Sequence, residues 1–109
     1  MILLEDFKKL EIRIGEIKTA ERIPETDKLL RLEVDFGEEK PRQIISGIAL
    51  YFPEPNALVG KKCAFAANLE PRIIKGLESQ GMILAVGGGE ELFSLLEVGR
   101  GVQVGARVK

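Results

Sequence analysis

Between Leu30 and Phe36 the chain alternates without a fault: Leu30, Leu32, Val34 and Phe36 are apolar, while Arg31, Glu33 and Asp35 are charged. A period of two puts one set on a buried face and the other in water, which describes a strand lying against a core. The same alternation runs upstream through Leu10, Ile12 and Ile14, then slips at Gly15-Glu16 before Ile17. A slip at a glycine inside a strand pattern predicts a bulge that bends the strand. Arg42–Ile48 reads as a third strand, and its paired apolar residues predict burial on both faces. Cys63–Ala67 and Gly81–Val86 read as the fourth and fifth. Turn residues separate these runs at Pro24–Asp27, Gly37–Lys40, Gly60–Lys62 and Gly87–Gly89.

The remaining segments fit around those strands. Leu3–Lys9 reads as a short helix, with acids early and lysines late to suit its dipole. Ala49–Asn56 is irregular with room for a helical turn, and Asn68–Gln80 is expected to be a loop. Leu92–Leu96 and Val102–Val108 read as two further short strands. Five main strands with little helix suit a small all-β barrel or sandwich. A long bent first strand, a meander and a connecting segment before the fourth strand favour an OB-type barrel, with an SH3-like barrel the nearest competitor. The expectation is therefore a five-stranded OB-fold Greek-key barrel with a short N-terminal helix. The extra C-terminal strands would cover an edge or pair with another subunit. A chain of 109 residues suits one domain, residues 1–109, and 45% hydrophobic residues can supply its core.

Several kinds of chemistry lack their parts. There is no His, which removes Ser-His-Asp and Cys-His catalysis and the commonest zinc ligand. One cysteine, Cys63, excludes an internal disulfide and reads as a small core side chain in an apolar strand. Gly87-Gly88-Gly89 lacks the following Lys-Ser or Lys-Thr of a phosphate loop and reads as a hairpin turn. The acids are scattered, with no spacing for a carboxylate pair or a calcium loop. No metal or cofactor is expected, and the chain is expected not to be an enzyme. No apolar run is long enough to cross a bilayer, and the opening Met-Ile-Leu-Leu-Glu-Asp is no secretory leader, so a cytoplasmic domain without a membrane partner is expected.

Binding is better supplied. The formal net charge of −1 rules out a surface coated in positive charge. The bias is uneven, however: residues 1–60 carry 9 basic and 12 acidic side chains, and residues 61–109 carry 7 and 5. In the segment Asn68–Met82, Arg72 and Lys75 stand close to Pro71 and Gly76, with Asn68, Ser79 and Gln80 able to donate and accept hydrogen bonds. Such a set binds phosphates through its cations and meets sugar or base edges with its amides and hydroxyl. Taken plainly, the same stretch is a solvated polar loop. In an OB barrel the loop after the first strand and the loop before the last flank one face. Lys28 would then join Arg72 and Lys75 on a common groove, and Arg42 would extend it. Phe36 and Phe65 are core residues by their strand positions, which leaves few aromatics for a stacking platform.

The blocks Asp6–Gly15, Asp27-Lys28-Leu29, Ile45–Ile48, Asn68-Leu69-Glu70-Pro71-Arg72 and Gly76–Ala85 occur in order across nearly the whole chain. In these the sequence resembles the tRNA-binding domain found both as a free-standing structure-specific tRNA-binding protein and as the C-terminal domain of many methionyl-tRNA synthetases. The last two blocks are the specific ones. The resemblance implies an OB fold, a homodimer, and tRNA binding that depends on shape more than on sequence, with an aminoacyl-tRNA synthetase as a further partner. It places RNA contacts at Lys28, Asn68, Arg72, Lys75, Ser79 and Met82. The chain departs from the family at Glu97–Gly101, where a Pro-Asp pair is usual, and at Ile74, which some members replace with a basic residue. A related branch is described as a secretion chaperone-like protein that binds exposed peptide. For that alternative, Ile48, Leu50 and Phe52 are the candidate apolar groove.

Overall fold

The longest strand organises everything else. In the computed structural model, which describes residues 1–109, β1 (Ile12–Arg22) runs for 11 residues and is shared between two partners. Its first half pairs with β4 (Lys62–Ala66), from Ile12 opposite Ala66 to Glu16 opposite Lys62. Its second half pairs with β2 (Leu30–Asp35), from Glu16 opposite Asp35 to Arg22 opposite Leu30. β3 (Arg42–Ser46) lies on the far side of β2, and β7 (Met82–Ile83) on the far side of β4. The resulting antiparallel order is β3-β2-β1-β4-β7, a nearly closed five-stranded barrel of the OB type. The SH3-like alternative falls away. No helix is long and apolar enough to cross a membrane.

The bend in β1 differs in place from the expectation. Gly15 and Glu16 stay in register with Cys63 and Lys62. The irregularity against β2 falls between Ile17 and Thr19, with Lys18 as the extra residue. Gly15 explains the misplaced signal. It is buried beside Ile14 because the side chains of Val34 and Phe36 lie against it: a Cβ there would lie 2.5 Å from Val34 Cγ1 and 2.8 Å from Phe36 Cε1. The glycine marks a close approach, and the bulge follows three residues later.

The alternation in β2 is realised in full, with Leu30, Leu32 and Val34 wholly buried. They meet Ile17, Ile44, Leu58, Cys63 and Phe65, and Phe36 sets its ring edge-on to Phe65 with centroids 5.2 Å apart. Each such side chain contributes about 1.5–3 kcal/mol by leaving water. Both Ile44 and Ile45 are buried, as the apolar pairs of the third strand require: Ile44 faces the core and Ile45 the opposite side. Cys63 is a core side chain, and burial pushes its thiol up to about 11, away from thiolate chemistry.

The helical expectations hold in shortened form. α1 covers only Leu4–Phe7, with the Asp6 carboxylate accepting the Leu3 N–H at 3.1 Å. Two 3-10 turns, Ala49–Tyr51 and Pro55–Leu58, occupy the irregular segment. The C-terminal third departs further. The expected fifth strand is cut at Leu84, and Ala85–Gly88 forms β8 of a separate hairpin with β9 (Glu91–Leu95). The cut has a cause: Leu84 N–H still donates to Ala64 O at 3.0 Å, but beyond it the edge of β4 is taken by Leu96–Val98, through Ala64 N–H to Leu96 O at 2.9 Å and Val98 N–H to Lys62 O at 3.0 Å. Val102–Val108 is no regular strand. It lies along the open edge of β1 instead, with Gly105 N–H donating to Ile14 O at 2.7 Å and Val108 N–H to Ile12 O at 2.8 Å. Both segments cover edges of their own barrel.

Candidate nucleic-acid interface

The stretch expected as a loop is mostly a hairpin. β5 (Arg72–Ile74) and β6 (Leu77–Ser79) pair antiparallel across the two residues Lys75 and Gly76. Both tip residues have positive φ, +53° and +78°, the pattern of a type I′ turn whose twist suits a tight hairpin. No period-two pattern could reveal strands of three residues, but the Lys-Gly pair was the available signal.

This hairpin closes the barrel. Ser79 is 4% exposed, and its hydroxyl accepts the Ile45 N–H at 3.0 Å while donating to Gly81 O at 3.0 Å. Gln80 N–H donates to Gln43 O at 2.8 Å, and its side-chain Oε1 accepts the Gln43 N–H at 3.0 Å. The Gln43 amide in turn donates to Glu78 O at 2.8 Å. Gln43 is a positioning residue that the sequence did not single out, because a polar residue in a strand carries no signal of its own. These bonds replace the missing backbone ladder between β3 and the last barrel strand, so the hairpin is held firmly. They also fix its direction: β6 runs antiparallel to β3, which sends the Lys75 tip towards the Ser46 end. Lys28 leads into that same end, since Leu30 pairs with Ser46 and Lys28 O accepts the Ala49 N–H at 2.9 Å.

The eight expected binding residues separate into two groups. Lys28, Arg72, Lys75 and Met82 are exposed, and none of their side chains makes a hydrogen bond or an ion pair within the molecule. Arg42, Asn68, Ser79 and Gln80 are already engaged. Asn68 accepts the Glu11 N–H at 2.8 Å and donates to Lys9 O at 2.7 Å, tying the start of β1 to the end of β4. Arg42 donates from Nε and Nη2 to the two oxygens of Glu38 at 2.9 and 2.8 Å. Its Nη1 donates to Ala67 O at 2.5 Å and Gln80 O at 3.2 Å, and its guanidinium stands 5.2 Å from the Phe36 ring centroid. The bond from Arg42 holds the Glu38 carboxyl below its ordinary value, and Glu38 raises that of Arg42. On the neighbouring strand Arg31 is likewise paired, to Glu21 at 2.6 Å.

The electrostatic consequence is local. Arg13, Lys18, Arg31 and Arg42 on the barrel strands each pair with a carboxylate, whereas Lys28, Arg72 and Lys75 do not. Three cations without an ion pair are thus available to an anion in a molecule of net charge −1. No three acidic or cysteine side chains converge as metal ligands.

Comparison with known proteins bears on what such a rim meets. Residues 12–107 match a family described as "Putative tRNA binding domain". The chain is 44% identical over 105 residues to a methionine–tRNA ligase of Methanosarcina mazei, a match covering 96% of this chain and 14% of the ligase. It therefore spans about one seventh of such a relative. Among solved structures, a MetRS related protein from Pyrococcus horikoshii superposes with a TM-score of 0.91 at 40% identity, covering 100% of this chain and 98% of that one. The chaperone CsaA of Bacillus anthracis str. Ames superposes with a TM-score of 0.86 at 28% identity, covering 100% and 99%. With the barrel, the ordered motif blocks and a family match over almost its whole length, the chain belongs to the tRNA-binding domain family.

Proposed function

We propose that residues 1–109 act as one non-catalytic tRNA-binding domain, working in the cytoplasm as a homodimer, either alone or within a methionyl-tRNA synthetase. The observation that carries this is the set of unpaired cations Lys28, Arg72 and Lys75 around the β5–β6 hairpin, beside an Arg42 held by Glu38. Lys28, Arg72 and Lys75 meet phosphates, and Met82 lies against an exposed nucleotide. Ser79 and Gln80 serve the same site by holding the hairpin in place, and Asn68 by fixing the end of β4 from which the chain leads to it. Because the cations sit on a rigid frame and read the backbone, recognition follows the shape of the RNA. Two copies of the rim in a dimer raise the effective concentration of the second contact. A titration of tRNA binding across salt concentration tests the reading. Affinity should fall steeply as salt rises, and Arg72→Ala and Lys75→Ala should each flatten that dependence for every tRNA alike. A salt-independent Kd contradicts it.

The likeness to CsaA supports peptide binding as a second reading. The expected groove is altered, since Ile48 is core and Phe52 is half-buried with its ring edge-on to Phe93 at 5.9 Å. Exposed apolar surface lies next to it at Leu50 and Leu92, around Tyr51 stacked on Phe93 at 4.0 Å. Unfolded polypeptide that displaces tRNA in competition would place both ligands on one site. Peptide binding without displacement would assign it to the Tyr51 side.

A further inference from the structure

The outer face of the β5–β6 hairpin carries a pattern that phosphate contacts leave unused. Arg72 pairs with Ser79 and Ile74 with Leu77, and the buried Ser79 marks that face as the one against β3. Ile73 pairs with Glu78 on the opposite face. Ile73 is 69% exposed, and the Glu78 carboxylate is exposed without an ion pair. A single exposed apolar side chain carries no meaning by itself. Its setting does: Arg72 belongs to the other face, unpaired Lys75 stands at the tip of the same hairpin, and a free carboxylate stands across from Ile73. A phosphate drawn to Lys75 is repelled from Glu78, so the apolar surface of Ile73 beside that carboxylate suits an uncharged part of a nucleic acid. Ile73 is also preset for contact, because it is stiff at χ1 and sits on a hairpin pinned to β3, with little freedom left to lose.

We propose that Ile73 and Glu78 form a nucleotide-contact site, in which an unpaired base of the RNA lies on Ile73 and turns an N–H donor to the Glu78 carboxylate. This rests on the tRNA reading above and names the part of the RNA engaged. A base inside an A-form stem hides its faces in the stack, so the nucleotide belongs to a loop, a bulge or an end. Its donor is an exocyclic amine or a ring N–H.

The test measures binding of tRNA and of a blunt RNA duplex across salt for the parent, Ile73→Ser, Ile73→Lys and Glu78→Ala. Ile73→Ser should weaken tRNA binding by roughly fivefold to tenfold, with the salt slope unchanged and duplex binding unaffected. Ile73→Lys should also weaken tRNA binding despite its added charge. Glu78→Ala should narrow the preference for tRNA over duplex. If Ile73→Lys tightens tRNA binding and steepens its salt slope, a phosphate occupies the position and the proposal is wrong. An unchanged Kd in Ile73→Ser overturns it as well. Absence of salt-dependent tRNA binding in the parent instead overturns the tRNA reading, and this site with it.

Discussion

The hydroxyl of Ser79 stands 3.0 Å from the backbone nitrogen of Ile45 and accepts its N–H, doing for β3 what a neighbouring strand would otherwise do. Both residues are buried, so no water is at hand to replace the bond. Ser79→Ala leaves the Ile45 N–H without a partner and should cost about 1–3 kcal/mol of stability. Urea unfolding measures this directly. A loss of tRNA affinity in this variant should be recovered where the protein is kept folded and cold, because the hydroxyl supports the hairpin from within. An undiminished loss under those conditions would make Ser79 a direct RNA contact.

The ion pair of Arg42 and Glu38 gives stability a dependence on acid. The hydrogen bonds from Arg42 lower the Glu38 carboxyl below its ordinary 4.5. A carboxyl lowered by folding stabilises the native state fully above its unfolded value, and the contribution is lost as pH falls through the lower folded value. Glu38→Gln should therefore be less stable than the parent at neutral pH, by a fraction of a kcal/mol since both partners are part exposed. The two stability curves should converge as pH falls below 4.5. Denaturant titrations of both proteins from neutral to acidic pH check the sign, and a gap that widened in acid would refute the assignment.

What the sequence made legible followed the strength of its period. The alternation of Leu30–Phe36 located β2 and its buried face, and the apolar pair Ile44-Ile45 located a strand covered on both sides. Short strands left no period to read, so β5 and β6 passed as loop. The fifth strand read too long because Ala85 and Val86 continue the apolar run, while the competition for the edge of β4 by Leu96–Val98 is a long-range fact invisible in any window. At the site, residue type drew attention to polar groups but could not say where their bonds were spent. Asn68 and Arg42 look like ligand-binding side chains in sequence, and the fold has already occupied both. Lys28, Arg72 and Lys75 look the same as Arg42 in sequence, yet Arg42 is held by Glu38, by two backbone carbonyls and against the Phe36 ring, while the other three make no ion pair.

Gly15 supplies a packing prediction. The residue has no left-handed backbone to defend, so the obstacle to a side chain is space alone, with Val34 Cγ1 2.5 Å from where a Cβ would sit. Gly15→Ala should destabilise by about 1–3 kcal/mol through overpacking. The urea midpoint should fall with the slope unchanged. Val34→Ala removes the nearer of the two clashes and leaves Phe36 Cε1 at 2.8 Å, so the double variant should be more stable than the sum of the two single losses predicts, though still less stable than the parent. Strict additivity would show that β1 and β2 shift apart instead.

Lys75 sets stability against binding. It holds a φ of +53° at the first position of a two-residue turn followed by Gly76, where Asn is the favoured residue. A lysine there bears a backbone cost that an asparagine largely avoids, because a short amide side chain tolerates the left-handed region. Lys75→Asn should therefore raise stability by roughly 0.5–1 kcal/mol, seen as a higher urea midpoint. The same change removes one unpaired cation from the rim, so tRNA binding should weaken and its log-salt slope should lose about 0.7–0.9, one phosphate contact. Opposite signs in the two measurements are the expected signature of a residue kept for binding at the expense of the turn. A more stable variant with unaltered affinity would remove Lys75 from the interface, and a less stable one would contradict the assigned turn geometry.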